Sequence, residues 1–200
     1  DLGQKSYLTR YEFTQNMRNA GAGEHLLIQA LMSLLHHTDQ YDPAWRYLLH
    51  EVAEECQHMA MFNHWIHLNP DIRTKGLKDD KWGLLASTLT PLVAVNFPML
   101  LWTLTLLLEL VGDTLQKTQD ANDDALLHPI PRQIAQAHEI EEARHIAFAR
   151  AWLSEGVPKM TKAQRWQLTL VCETTIANII KVGVNPFYSG QIKQLVSFKD

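Results

Sequence analysis

Apolar residues recur every three to four positions through most of this 200-residue chain, the spacing of amphipathic helices rather than the alternation of strands. The residues through about Asn19 are mixed and polar and read as a short helix or an arm. Gly21-Ala22-Gly23 then precede an apolar-periodic stretch from Glu24 to Leu35, which predicts a first helix beginning there. Asp42-Pro43 is a helix start, with a capping side chain followed by a ring that needs no N–H partner, and the pattern runs to about Leu68 before Asn69-Pro70 breaks it. The charged stretch from Asp71 to Lys81, with Gly76 inside it, reads as a surface connection. Pro129 and Pro131 open a further helix that ends near Gly156-Val157-Pro158, and Thr161 to Val182 gives another. Leu168, Val171, Ile176 and Ile179 of that last helix are placed to cover the others, and the tail from Asn185-Pro186 is turn-rich.

The segment from Trp82 to Leu108 contains no Asp, Glu, Lys or Arg, 27 residues that pass the length test for a membrane span. Pro91, Pro98, Asn96 and several hydroxyl residues argue against a span, as does Glu109 at its end. The expectation is the buried central helix of a bundle, started or kinked by one of the prolines. The fold class is therefore all-α: a four-helix bundle with extra helices, one domain over 1–200, with 1–19 as an N-terminal arm and 160–200 as a covering helix and tail.

Composition narrows the function. A 46% hydrophobic content is enough for a substantial core. The net charge of −4 and the lack of a dense Lys/Arg run argue against nucleic acid as the main partner. Two cysteines, Cys56 and Cys172, far apart and without metal spacing, suit a reduced, cytoplasmic setting. The chain starts at Asp1 rather than Met, so that compartment is an inference from cysteine usage alone.

The chemistry lies in a repeat. Glu54-Glu55-Cys56-Gln57-His58 and Glu141-Glu142-Ala143-Arg144-His145 share one pattern, and a lone glutamate in an apolar stretch precedes each: Glu24 and Glu109. On a helix, a glutamate and a histidine three positions apart point along one face and can grip one metal. With 11 glutamates and 10 histidines, chance gives roughly half an E-x-x-H match, so the motifs alone carry little. Glu109 carries more. It sits between Leu108 and Leu110, where an unpaired carboxylate costs several kcal/mol and a metal compensates it. Two Glu-x-x-His helices and two lone glutamates form the carboxylate-bridged metal pair that bundle cores hold.

A third imidazole joins them. Counted round the helix, His138 lies about 40° from Glu142 and about 20° from His145, so the three share one face. Glu54 and Glu141 are placed to orient the histidine of the opposite motif, and Arg144 to neutralise a carboxylate or sit in a solvated ion pair. The remaining histidines, His25, His36, His37, His50, His64, His67 and His128, have no repeated partner and read as surface or hydrogen-bonded residues. Met59, Phe62, Phe97, Leu101 and Phe148 lie near the ligands in sequence and are candidates for a pocket wall or core packing. Carboxylates with a few imidazoles suit two iron ions (Fe2+/Fe3+), with manganese as the alternative, better than zinc or calcium.

These residues resemble the ferritin-like di-iron oxygenases, specifically the p-aminobenzoate N-oxygenase family, over roughly Glu24 to His145. That family carries Glu, E-x-x-H, Glu, then H-x-x-x-E-x-x-H, the last matching His138-Glu139-Ile140-Glu141-Glu142-Ala143-Arg144-His145. The third histidine separates it from ferritins, acyl desaturases and ribonucleotide reductase small subunits. The resemblance implies a ferritin-like fold and a di-iron centre held by Glu24, Glu55, His58, Glu109, His138, Glu142 and His145. It also implies O2-dependent oxidation of an aromatic amine to hydroxylamine and nitro products.

No nucleotide-binding glycine motif is present, so electrons would come from an external donor. The partners expected are a small-molecule substrate, O2 and that donor, with no nucleic acid and no membrane. Apolar helix faces needing cover are compatible with a homodimer. The alternatives are another di-iron oxidation, such as C-hydroxylation or desaturation, and a non-enzymatic ferritin-like iron-binding protein. The third histidine and the lack of an acidic mineral-nucleating face argue against storage.

Overall fold

The computed structural model describes residues 2–72, 81–121 and 129–184. The connection at 73–80, His128 and the tail from Asn185 lie outside the described residues. Among the described residues six α-helices follow in order: α1 (Leu2–His37), α2 (Pro43–Leu68), α3 (Lys81–Asn96), α4 (Pro98–Ala121), α5 (Pro129–Gly156) and α6 (Lys162–Val184), with a short 3-10 turn at Val157–Lys159. No strand occurs among the described residues. The chain divides into two compact units, 1–155 and 156–200, and every candidate ligand belongs to the first.

Helix α2 begins where its sequence says. The Asp42 carboxylate accepts the Ala44 N–H at 2.9 Å, satisfying one of the donors that a helix N-terminus leaves free, and Pro43 occupies the first turn. Helix α5 likewise opens on Pro129.

Two expectations are corrected. The first helix does not begin at Glu24: α1 runs unbroken from Leu2, and neither Gly21 nor Gly23 adopts a positive φ. Its N-terminal half is held by packing. Phe13 and Trp65 meet edge to face with centroids 5.2 Å apart, the Trp65 indole N–H donates to Thr14 Oγ1 at 3.0 Å, and Arg10 pairs with Asp71 at 2.9 Å. The apolar run from Trp82 to Leu108 is not one helix but two, nearly all of α3 and the first part of α4. Phe97 N–H still reaches the Val93 carbonyl at 2.8 Å, but Pro98 has no N–H to continue the ladder, and α4 starts there. No described helix is long and apolar enough to cross a membrane.

Two apolar clusters fill the first unit. Leu27, Ala30, Leu31, Leu34 and Leu35 of α1 meet Leu48 of α2, Ala94 of α3, Leu101 and Trp102 of α4 and Ala149 of α5. A second cluster joins Phe13, Phe62, Trp65 and Ile134. On α1 the second cluster precedes Glu24 and the first follows it, while on α2 the order about His58 is reversed, as antiparallel helices require. The polar site is thus sealed between two hydrophobic layers. In α6, described by itself, Leu168 and Val171 are half-buried, whereas Trp166, Leu170 and Ile176 are exposed.

Candidate metal centre

Between those layers α1, α2, α4 and α5 bring together side chains that sequence spacing alone leaves scattered. Glu24, Glu55, His58, Glu142 and His145 are all buried, with Glu55 and His58 fully so; Glu109 and His138 are half-buried. Ligand atoms of Glu24, His58, His138 and Glu142 lie within 4.8 Å of one another, as do those of Glu24, Glu55 and Glu109. Glu51, Glu55 and His145 form a third such group. All seven sequence-predicted residues therefore converge.

The histidines are aimed by their outer neighbours. His58 presents Nδ1 inward, 2.9 Å from Glu55 Oε2 and 3.3 Å from Glu142 Oε1, while its Nε2 lies 2.7 Å from Glu141 Oε2. His145 repeats this, with Nδ1 2.9 Å from Glu55 Oε1 and 3.1 Å from Glu142 Oε2, and Nε2 3.1 Å from Glu54 Oε2. An Nε2–H donated to a carboxylate leaves the Nδ1 lone pair for a metal. The motifs thus serve each other: Glu54 of α2 orients the histidine of α5, and Glu141 of α5 orients that of α2. Glu54 is itself held by Arg144 and by His50 Nδ1 at 3.1 Å. His138 differs in presenting Nε2, 3.4 Å from Glu24 Oε1 and 3.2 Å from Glu142 Oε1.

Protonation follows this crowding. Burial and neighbouring carboxylates push Glu24 and Glu109 well above the usual range. Burial opposes a charged His145 ring, but Glu142 and Glu55 outweigh it and push its pKa up to about 12. Burial likewise raises Glu55, but His145 and His58 prevail and hold it low, at about 2. His138 is shifted down, chiefly by burial. A cation would take the place of these shared protons.

The donor set fits such a cation. Glu55 Oε1 and Glu142 Oε1 are buried with no hydrogen bond of good geometry, although imidazole nitrogens stand close by. Buried oxygens of this kind are exceptional in a folded protein. Carboxylate oxygens with three imidazole nitrogens match iron or manganese rather than a four-coordinate zinc site.

Apolar groups wall the site. Phe62 lies 5.2 Å from His138 and 6.3 Å from His58 between ring centroids. On the other side Tyr47 stacks on Phe148 at 3.7 Å, and Trp102 meets Phe148 at 5.1 Å. Leu101 is core, whereas Phe97 is 60% exposed and does not line the site.

Comparison with known proteins shows the family. The family model described as p-aminobenzoate N-oxygenase AurF matches residues 1–191. The chain belongs to the AurF family. Uncharacterized proteins from Mycobacterium tuberculosis and Mycobacterium bovis are 33% identical to it over 165 residues, covering 82% of this chain and 47% of theirs. The chain thus spans about half the length of the curated relatives it matches. No solved structure matches it. The ferritin-like fold expected from the motifs is that of the AurF family, and α3 is an addition to the four ligand-bearing helices.

Sequence reasoning missed Glu51, which is 1% exposed. A signal was available: Glu51 lies four residues before Glu55, hence about 40° from it round α2.

Proposed function

We propose that this chain forms the di-iron centre of an O2-dependent oxygenase that N-oxygenates an arylamine to hydroxylamine and nitro products. Glu24, Glu55, His58, Glu109, His138, Glu142 and His145 would hold the two irons. The observation that carries the reading is the third imidazole: His138 reaches Glu142, the carboxylate that His58 and His145 also meet, as the family pattern requires. Two irons held there would supply the redox chemistry that activates O2.

The chain's own groups prepare the site. Glu54 and Glu141 fix the inward nitrogens of the two motif histidines, Glu24 and Glu109 supply carboxylates from the other two helices, and the apolar layers exclude water. Electrons for repeated cycles would come from an external donor.

The test is to load metal-free protein with ferrous iron without O2, then add O2 and p-aminobenzoate and identify products by mass. About two irons per chain, and hydroxylamine or nitro product limited to about one turnover without added reductant, is expected. Iron binding with hydroxylated or desaturated product from other substrates would transfer the assignment to another di-iron oxidation, and failure to bind iron would overturn it.

A further inference from the structure

We propose that Glu51 is an eighth metal ligand, a carboxylate on the ion position built by Glu55 and His145. This rests on the metal-centre reading above and extends its ligand set.

Glu51 stands one turn before Glu55 on the same face of α2, and its carboxylate comes within 4.8 Å of ligand atoms of both Glu55 and His145. It is 1% exposed, and neither of its oxygens has a hydrogen-bond partner. A buried carboxylate with both oxygens unmet is among the least tolerated groups in a protein interior unless a cation meets it.

The nearest alternative is a core acid met by Tyr47, one turn earlier, which acts on Glu51 by charge and through a side-chain hydrogen bond too loose to be well formed. The same hydroxyl lies 3.2 Å from the Arg144 carbonyl, and its single proton cannot satisfy both Glu51 oxygens. The other residues on that side, Leu48 and Val52, belong to the apolar cluster and offer nothing polar.

The two ion positions differ in donor type. Glu24, His58, His138 and Glu142 gather two carboxylates and two imidazoles at one position. At the other, Glu51, Glu55 and His145 form a group, with Glu142 Oε2 3.1 Å from His145 Nδ1 and Glu109 grouped with Glu55, so carboxylates surround a single imidazole there. Glu51 groups with Glu55 and His145 and not with His58 or His138, the imidazoles of the other position.

Anaerobic titration of the metal-free full chain with Co(II) tests this, followed by calorimetry and by the visible bands that report cobalt's ligand number. Wild type should take up two ions per chain. Glu51→Gln, which keeps size and removes charge, and Glu51→Ala should hold the first ion as wild type does. They should bind the second about tenfold or more weakly, with altered visible bands. Two ions bound with unchanged affinities and bands in both variants would overturn the assignment. So would a third ion in wild type that the variants lose, because Glu51 would then serve a separate site. Wild type that binds no cobalt or iron would refute the metal-centre reading itself, a result distinct from a failure confined to the variants.

Discussion

The glutamates that matter most for geometry are not all turned towards the candidate ions. Glu54 and Glu141 meet the outer nitrogens of His145 and His58, 3.1 and 2.7 Å away, and so decide which nitrogen faces inward. Removing such an outer partner commonly costs 10 to 100-fold in metal affinity. Glu141→Ala should weaken anaerobic Fe(II) binding by roughly that factor while leaving the fold intact, since Glu141 is on the bundle's flank with its side chain 30% exposed. A binding isotherm unchanged from wild type would show that packing alone orients His58. This crossed pairing was legible in the sequence, because each Glu-x-x-His is preceded by a second glutamate and antiparallel helices bring the two motifs face to face. Glu51 was not legible in the same way. It repeats no pattern, and its meaning depends on His145, which lies 94 residues on (145 − 51) and reaches it only when the bundle closes.

Helix α1 shows why element boundaries were harder than element faces. Two glycines within three residues weaken a helix by local propensity, about 1 kcal/mol each relative to alanine. The packing of Phe13, the Trp65-to-Thr14 bond and the Arg10–Asp71 pair outweigh that, and these partners lie on or just beyond α2, out of reach of any local reading. Gly23 has nothing within 4 Å of where a Cβ would sit, and its φ is not positive. Gly23→Ala should therefore stabilise the protein by about 0.5–1 kcal/mol, read as a higher midpoint in urea. No gain would mean that the glycine serves the adjacent Glu24 rather than merely tolerating its place. The converse substitution, Thr14→Val, keeps shape but takes the acceptor from a buried indole N–H, and should cost about 1–3 kcal/mol on the same measurement. The α3–α4 boundary, by contrast, was half legible. A start or kink at one of the two prolines, Pro91 or Pro98, is expected from the sequence, but an uncharged run does not say which proline acts or whether it bends a helix or ends it.

At the scale of the whole bundle, the metal centre is also the main fault in the metal-free fold. Five carboxylates, Glu24, Glu51, Glu55, Glu109 and Glu142, converge in an interior sealed by two apolar layers. Burial pushes Glu51 up to about 8, against an ordinary value of 4.5, with His145 partly offsetting and Glu55 adding to the shift. Below about pH 4.5 both folded and unfolded chains keep that proton, so the group is neutral to stability there. As pH rises through the window up to about 8, the unfolded chain releases the proton and the folded chain holds it, so folding is progressively disfavoured. Glu24 and Glu109 act in the same direction. His145 adds to it from higher pH: its contribution is full below its ordinary 6.5 and is lost as pH rises towards about 12. Glu55 opposes them only at the acid end, because a lowered carboxylate contributes above about pH 4.5 and loses that contribution as pH falls towards 2. Metal-free protein should thus melt at progressively lower temperature from about pH 5 to pH 8. Bound cations replace the shared protons, so the metal-loaded form should instead hold or gain stability over that window, where ligands are more readily deprotonated. At neutral pH, free metal at 100 times its dissociation constant should add about 2.7 kcal/mol for each site, lost on chelation. Calorimetric melts of both forms across that pH range check the argument, and parallel pH profiles with and without metal would show that the crowded carboxylates are neutralised within the protein and need no ion.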